Sequence, residues 1–384
     1  MSMENQALEL ARSVISNVCK VLGTNELISV SHAHISGISY FNIGDYGLKL
    51  IESLYLGGGK FSVFTTANPY AVVNTDFRGR MFHDNIINKQ FKIVKYLKLM
   101  GAKAFTCAPY FIREPRPGEH LAWAESNAVL MANSYYGART NREGGPSSLM
   151  AALIGRTCSL NIHKEPVTPK VEFRVPKVSN ELEASVLGYL IGLSDPQNIP
   201  YIRNIGNIDF ELIRSLLAAL GASSSVPMAV LNTITPPHTY KVLDTYDRVS
   251  ISSQDLIKFI KEHRYDLRQL PKDTLLLIGC PHLHSNTINE ILDSVKEANL
   301  ANRSMELWII VHTSPKLSNE ELTSLRNKGI KILHSVCPVV TKLNELGIET
   351  VITNSCKALH YIPRISKIPT YLMSTKEILR LCRR

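Results

Sequence analysis

Two rhythms of apolar and polar positions alternate along this chain: short continuous apolar runs, then stretches with helical periodicity. The last third shows the alternation best. DTLLLIG (273–279) precedes a helical pattern near 286–299, and LWIIVHTS (307–314) precedes SNEELTSLRNKG. KILH (331–334) leads through Cys337 to VTKLNELG, and ETVITNS (349–355), PTYLMS and a terminal helix STKEILRLCRR close the chain. Ser318 and Glu321 have capping-box spacing, which predicts a helix start. Apolar runs alternating with amphipathic helices are the pattern of parallel α/β architecture.

The first part repeats the pattern with more glycine and polar residues. LISVSHAHISG, KFSVFTTANP and KAFTCAPY read as three strand-then-polar-loop units. The stretch GARTNREGGP reads as loop, because paired glycines and a proline break regular structure. GGGK at 57–60 lacks the spacing and the following Ser or Thr of a phosphate loop, so it reads as a helix-ending turn. Little periodicity survives in 163–178 (HKEPVTPKVEFRVPKV), and a second seam falls near 265–272. These predict three subdomains, 1–165, 166–268 and 269–384, the middle one helical or α/β.

Composition narrows the class. At 384 residues the chain is too long for one core, and 45% hydrophobic with 20% charged residues suits a globular protein. No apolar run reaches the ~18 residues of a membrane span. The amphipathic start MSMENQALELARSV lacks the features of a signal peptide, so a cytoplasmic protein without a membrane role is expected. Lys and Arg outnumber Asp and Glu by 43 to 33, a net charge of +10. That excess forms no basic tail or aromatic-spaced stripe, which argues against nucleic acid as the partner. Seven scattered cysteines without an export signal predict free, ligating or catalytic thiols rather than disulfides.

Three of those cysteines share one context. Cys107 (KAFTCAPY), Cys280 (LLLIGCPH) and Cys337 (KILHSVCP) each end an apolar run and precede Pro or Ala-Pro. The ends of parallel strands open onto one crevice, so three thiolates delivered there suggest an iron–sulfur cluster with an open iron. CPHLH offers Cys280, His282 and His284 as a rival zinc or mononuclear iron set, although no C-x2-C pair accompanies it. Cys356 adjoins the site as an alternative third ligand, while Cys19 and Cys382 lie in helical patterns and read as core or surface. Other strand ends carry His32, His34, Ser36, Gly37, Ser39, Asn68, Pro69, His312, Asn354 and Lys357. Glu125 and Ser126 start a helical run, where they serve the helix dipole or meet a polar substrate. Arg139 and Arg142, in a loop with glycines, suit a carboxylate or phosphate.

The segments SHAHISGISY, TTANP, CAPYFIREPRPGEHLAWAESNAVLMANSYYGARTNREGGPS, GCPH, CPVV and TNSCKALHY occur in this order. Together, over nearly the whole chain, they resemble the aconitase X family, and within it the large catalytic subunit of the two-chain branch. The resemblance implies an aconitase-like α/β fold, multiple subdomains with mainly parallel sheets around a central cleft. It implies an iron–sulfur cluster (4Fe–4S, or 3Fe–4S as isolated) on Cys107, Cys280 and Cys337. It also implies contacts of Gly37, Ile38, Ser39, Asn68, Pro69, Glu125, Ser126 and Lys357 with a phosphorylated hydroxy acid. The implied activity is dehydration of (R)-5-phosphomevalonate to trans-anhydromevalonate 5-phosphate, in isoprenoid biosynthesis. The single-chain branch resembles a cis-3-hydroxyproline dehydratase and continues into a fused swivel domain. This chain stops soon after TNSCKALHY, which implies a separate small swivel-domain subunit, forming a heterodimer and carrying a serine base. Two rival readings are a dehydratase of another hydroxy acid and a non-enzymatic iron-responsive RNA-binding protein.

Overall fold

Met305–Val311 is buried at every position, which is why its sequence shows no polar alternation. It lies in a five-stranded sheet ordered Ile330–His334, Met305–Val311, Thr274–Leu283, Thr350–Thr353 and Thr370–Leu372, every pairing parallel. Two further parallel sheets precede it. The first runs Phe64–Ala67, His32–Ile35, His120–Trp123, Arg139–Thr140, and the second Asp247–Ser250, Val171–Arg174, Pro200–Arg203, Val230–Leu231. A short antiparallel pair, Leu27–Ser29 with Arg156–Cys158, is added at the first. The computed structural model describes residues 6–383 apart from 207, 243–246, 266–271, 296–297 and 301–303. Most of the seam near 265–272, and residues 296–297 of the helical pattern near 286–299, therefore lie outside the described residues. No helix among those described is long and apolar enough to cross a membrane.

Local sequence explains the helix ends. Ser318 and Glu321 form the reciprocal capping box on Asn319–Asn327, as their spacing predicts. Gly57 caps Tyr40–Leu56, so GGGK is a helix-ending turn. In the second region the helices Glu181–Ser194 and Phe210–Ser223 approach so closely that a Cβ on Gly188 would lie 2.0 Å from the Leu216 carbonyl oxygen. Glycine at 188 is thus a packing requirement.

Three expectations need correction. Around Cys107 there is no strand: Phe105 makes a single parallel bridge to Ala67. Within GARTNREGGP, Arg139–Thr140 joins the sheet edge and Gly145 opens the helix Gly145–Ile154, so only the middle is loop. Cys19 and Cys158 form a disulfide. Both lie in one buried apolar cluster, where the helix Gln6–Val21 packs by the strand Arg156–Cys158.

Buried histidines predict an acid-sensitive fold. Burial, with the nearby His120 and Arg139, lowers the His163 pKa to about 3, and burial lowers that of His34 to about 4. The unfolded chain would protonate both near about 6.5. Between those values the unfolded state binds more protons, so their stabilisation is complete above about pH 6.5 and declines as pH falls toward 4. Thermal melts should shift down by roughly 5 °C between pH 7 and 5, with His163→Gln flattening the trend; an unchanged trend would remove His163 as a cause.

Candidate functional site

The strand ends of the first and third sheets meet around a cavity of about 310 Å³. After His32–Ile35 the chain delivers Gly37, Ile38 and Ser39, with Gly37 at φ 67°, a conformation that favours glycine. Phe64–Ala67 ends at Asn68 and Pro69, and His120–Trp123 at Glu125 and Ser126. The opposite wall is Cys280, in an irregular part of Thr274–Leu283, with Lys357 in the helix Cys356–Ser366 that follows Thr350–Thr353. Cys107 and Cys337 complete it, Cys337 capping the short turn Pro338–Val340. Segments more than two hundred residues apart thus bring all three thiols to one cavity.

Glu125 accepts the Ala128 N–H at 2.8 Å, as a helix cap, and pairs with the Lys357 ammonium. Lys357 Nζ also lies 3.3 Å from Ser126 Oγ. Burial alone would depress the Lys357 pKa, but the Glu125 carboxylate and the Cys280 thiol beside it hold it above the ordinary lysine value. Burial pushes the thiols the other way, Cys337 to about 12 and Cys107 and Cys280 upward. Lys357 pulls all three back toward the thiolate form. A largely enclosed lysine beside one buried and two half-buried cysteines therefore favours the charge state a metal requires.

Asn68 is aligned from behind. Its Oδ1 accepts from His34 Nε2 at 2.9 Å, and His34 Nδ1 accepts from Thr66 Oγ1 at 2.8 Å. His32 Nε2 in turn donates to that hydroxyl at 2.9 Å. This chain fixes the rotation of the amide and leaves its NH2 as a donor for the cavity. Ser39 contributes differently: its hydroxyl donates to Gln90 Oε1 at 3.2 Å and accepts from Ala71 N–H at 3.0 Å, fixing the helix start below the cavity.

The donor set, three thiols on one cavity, has the chemistry that an iron–sulfur group takes. Among the described residues no three His, Cys, Asp or Glu side chains converge as ligands of one ion. The Cys280, His282, His284 set fails because both rings are committed elsewhere. His282 bonds Thr106 and Val336 through its two ring nitrogens, and His284 Nδ1 accepts the Asn286 N–H at 3.3 Å while its ring stacks on His312. Cys356 is not among the cavity residues; it is buried in the core between helices, its N–H donating to Ser185 Oγ at 2.8 Å.

The two arginines separate. Arg139 does not reach the cavity; its guanidinium donates to the carbonyls of His163 and Ile162 at 3.2 and 3.5 Å, because its short edge strand directs it away. Arg142 lines the cavity, yet it gives hydrogen bonds to the carbonyls of Gly221, Ser224 and Val226, tying the loop to the second region. Sequence reasoning missed Asn42 and Tyr361, which also line the cavity. Tyr361 lies one helical turn after Lys357, a spacing that signals a shared face.

Comparisons with known proteins agree over the whole chain. Family models described as the aconitase X first, second and third domains match residues 1–166, 169–261 and 274–383. The phosphomevalonate dehydratase large subunit of Methanocaldococcus jannaschii is 32% identical, covering 98% of this chain and 96% of its own length. The cis-3-hydroxy-L-proline dehydratase of Pseudomonas aeruginosa is 28% identical over 93% of this chain and 64% of its own length. A solved structure, the holo-form of Thermococcus kodakaraensis aconitase X, superimposes with a TM-score of 0.83 at 28% identity, covering 98% of this chain and 95% of that one. With its cysteine-lined cavity between parallel sheets and these full-length matches, the chain belongs to the aconitase X family.

Proposed function

We propose that this chain is the large subunit of a phosphomevalonate dehydratase. Together with a small subunit, it removes water from (R)-5-phosphomevalonate to give trans-anhydromevalonate 5-phosphate, an isoprenoid precursor. The observation that carries this reading is the presence of Cys107, Cys280 and Cys337 on the wall of one cavity beside the Glu125–Lys357 pair. The substrate reading is supported by relatives named phosphomevalonate dehydratase large subunits, which are 29 to 33% identical, against 28 and 24% for the hydroxyproline dehydratases.

Cys107, Cys280 and Cys337 would hold an iron–sulfur cluster. When bound, it supplies Lewis acidity toward the tertiary C3 hydroxyl, easing departure of hydroxide. The chain's own residues supply the rest. Lys357, kept charged by Glu125, places positive charge where the substrate carboxylate would lie, which also acidifies the C2 proton. The Asn68 amide, locked by His34, donates a hydrogen bond to an anionic oxygen. Gly37 lets the backbone approach the substrate closely. Ile38, Ile310, Val339 and Val340 form an apolar wall that limits water. The C2 proton passes to a base on the small subunit, the C3–O bond breaks, and hydroxide with a proton leaves as water.

Anaerobic co-production with the small subunit, then an assay with phosphomevalonate and with cis-3-hydroxyproline, tests the reading. Dehydration of phosphomevalonate alone is expected. Turnover of the imino acid in its place would move the chain to the other activity.

A further inference from the structure

We infer that His282 is the positioning residue that holds the three cysteine segments in place, because its backbone N–H reaches the Cys107 thiol and its two ring nitrogens grip the residues that precede Cys107 and Cys337. Its backbone N–H donates to Cys107 Sγ at 3.3 Å. Its Nε2 lies 2.9 Å from the Val336 carbonyl, which only accepts, so Nε2 carries the proton. Nδ1 then accepts from Thr106 Oγ1 at 3.1 Å, and Thr106 Oγ1 takes the Ala108 N–H at 3.1 Å. The His282 carbonyl accepts from Arg214 Nη1 at 2.7 Å. Thr106 precedes Cys107, Val336 precedes Cys337, and His282 follows Cys280 by two positions. One imidazole thereby ties the residues that precede Cys107 and Cys337 to the segment that carries Cys280, while Arg214 anchors the His282 backbone from the second region.

The side chain is suited to this. A histidine ring sets a donor and an acceptor on opposite edges of a rigid plane, whereas Asn is shorter and Gln flexible. His282 is only 2% exposed, so replacing it strands buried partners that include the Val336 carbonyl and the Thr106 hydroxyl. The N–H···S bond also gives the chain a lever on the group bound by Cys107, since hydrogen bonds to ligand sulfurs tune reduction potential. Its bearing on the cluster rests on the function proposed above; the clasp itself does not.

Two readouts separate these. In the metal-free protein, thiol alkylation followed by mass spectrometry should show Cys107 and Cys337 labelled about tenfold faster in His282→Ala than in wild type. His282→Gln, which restores one donor, should fall between. After anaerobic reconstitution, iron and sulfide per chain should drop below about half of wild type in His282→Ala, with a shifted reduction potential in the remainder. Circular dichroism checks the fold; if His282→Ala does not fold, Thr106→Val, which cuts the Nδ1 bond alone at the ring, takes its place. Labelling rates and iron content equal to wild type in a folded variant overturn the inference. Faster labelling in a protein whose wild type takes up no iron supports the clasp and removes the cluster.

Discussion

Cys280→Ser is expected to abolish both iron binding and turnover, by at least about a thousandfold, about 4 kcal/mol of transition-state stabilisation. The reason is chemical rather than structural. A serine hydroxyl does not ionise near neutral pH, and the thiolate is the metal's ligand. Cys280 is half-buried on the cavity wall, so the metal-free fold should survive the exchange. The control is Cys356→Ala, expected to keep full iron content, because that thiol lies in the core between helices. Its cost should appear in stability, on the order of 1–3 kcal/mol. Iron analysis of both variants checks the prediction. A Cys280→Ser protein with wild-type iron would remove that residue from the ligand set, and iron loss in Cys356→Ala would put Cys356 into it.

Lys357→Met should damage stability and activity together. The lysine and Glu125 are both nearly inaccessible, with side chains 12% and 7% exposed. Deleting one partner leaves a buried carboxylate without its counter-charge, which costs about 3–5 kcal/mol. Turnover should also fall by roughly a hundredfold or more, because the cation proposed to face the substrate is gone. The double variant Lys357→Met with Glu125→Gln distinguishes the two effects. It removes the stranded charge, so stability should largely return while turnover stays low. Reconstitution should also slow in Lys357→Met, since the lysine favours the thiolate form at all three cysteines. Wild-type turnover in the single variant would dismiss Lys357 from the site.

The parts of this site legible in the sequence are those whose signal is local. Each of the three cysteines announces itself by a following proline after an apolar run, and Glu125 by its position at a helix start. The capping box at Ser318 and the cap at Gly57 are local in the same sense. What the sequence hid depends on direction or on distant partners. Cys19 and Cys158 are 139 residues apart, and no local pattern pairs them. Arg139 and Arg142 share a loop composition, but only the course of the backbone decides that one faces the cavity and the other His163. His282 looked like a metal ligand because it sits two residues from Cys280. Its ring instead points to Thr106 and Val336, 176 and 54 residues away in sequence. Arg214, which reaches the same residue from another sheet's helix, left no trace in the local pattern.

All of the chemistry depends on sulfurs from remote parts of the polypeptide enclosing one multi-iron group. Crystals of the anaerobically reconstituted complex, measured at the iron absorption edge, test this most directly. Anomalous density for about three or four irons, bonded to the sulfurs of Cys107, Cys280 and Cys337, is the expected result. A single peak, or iron held elsewhere with those thiols unbound, would contradict it.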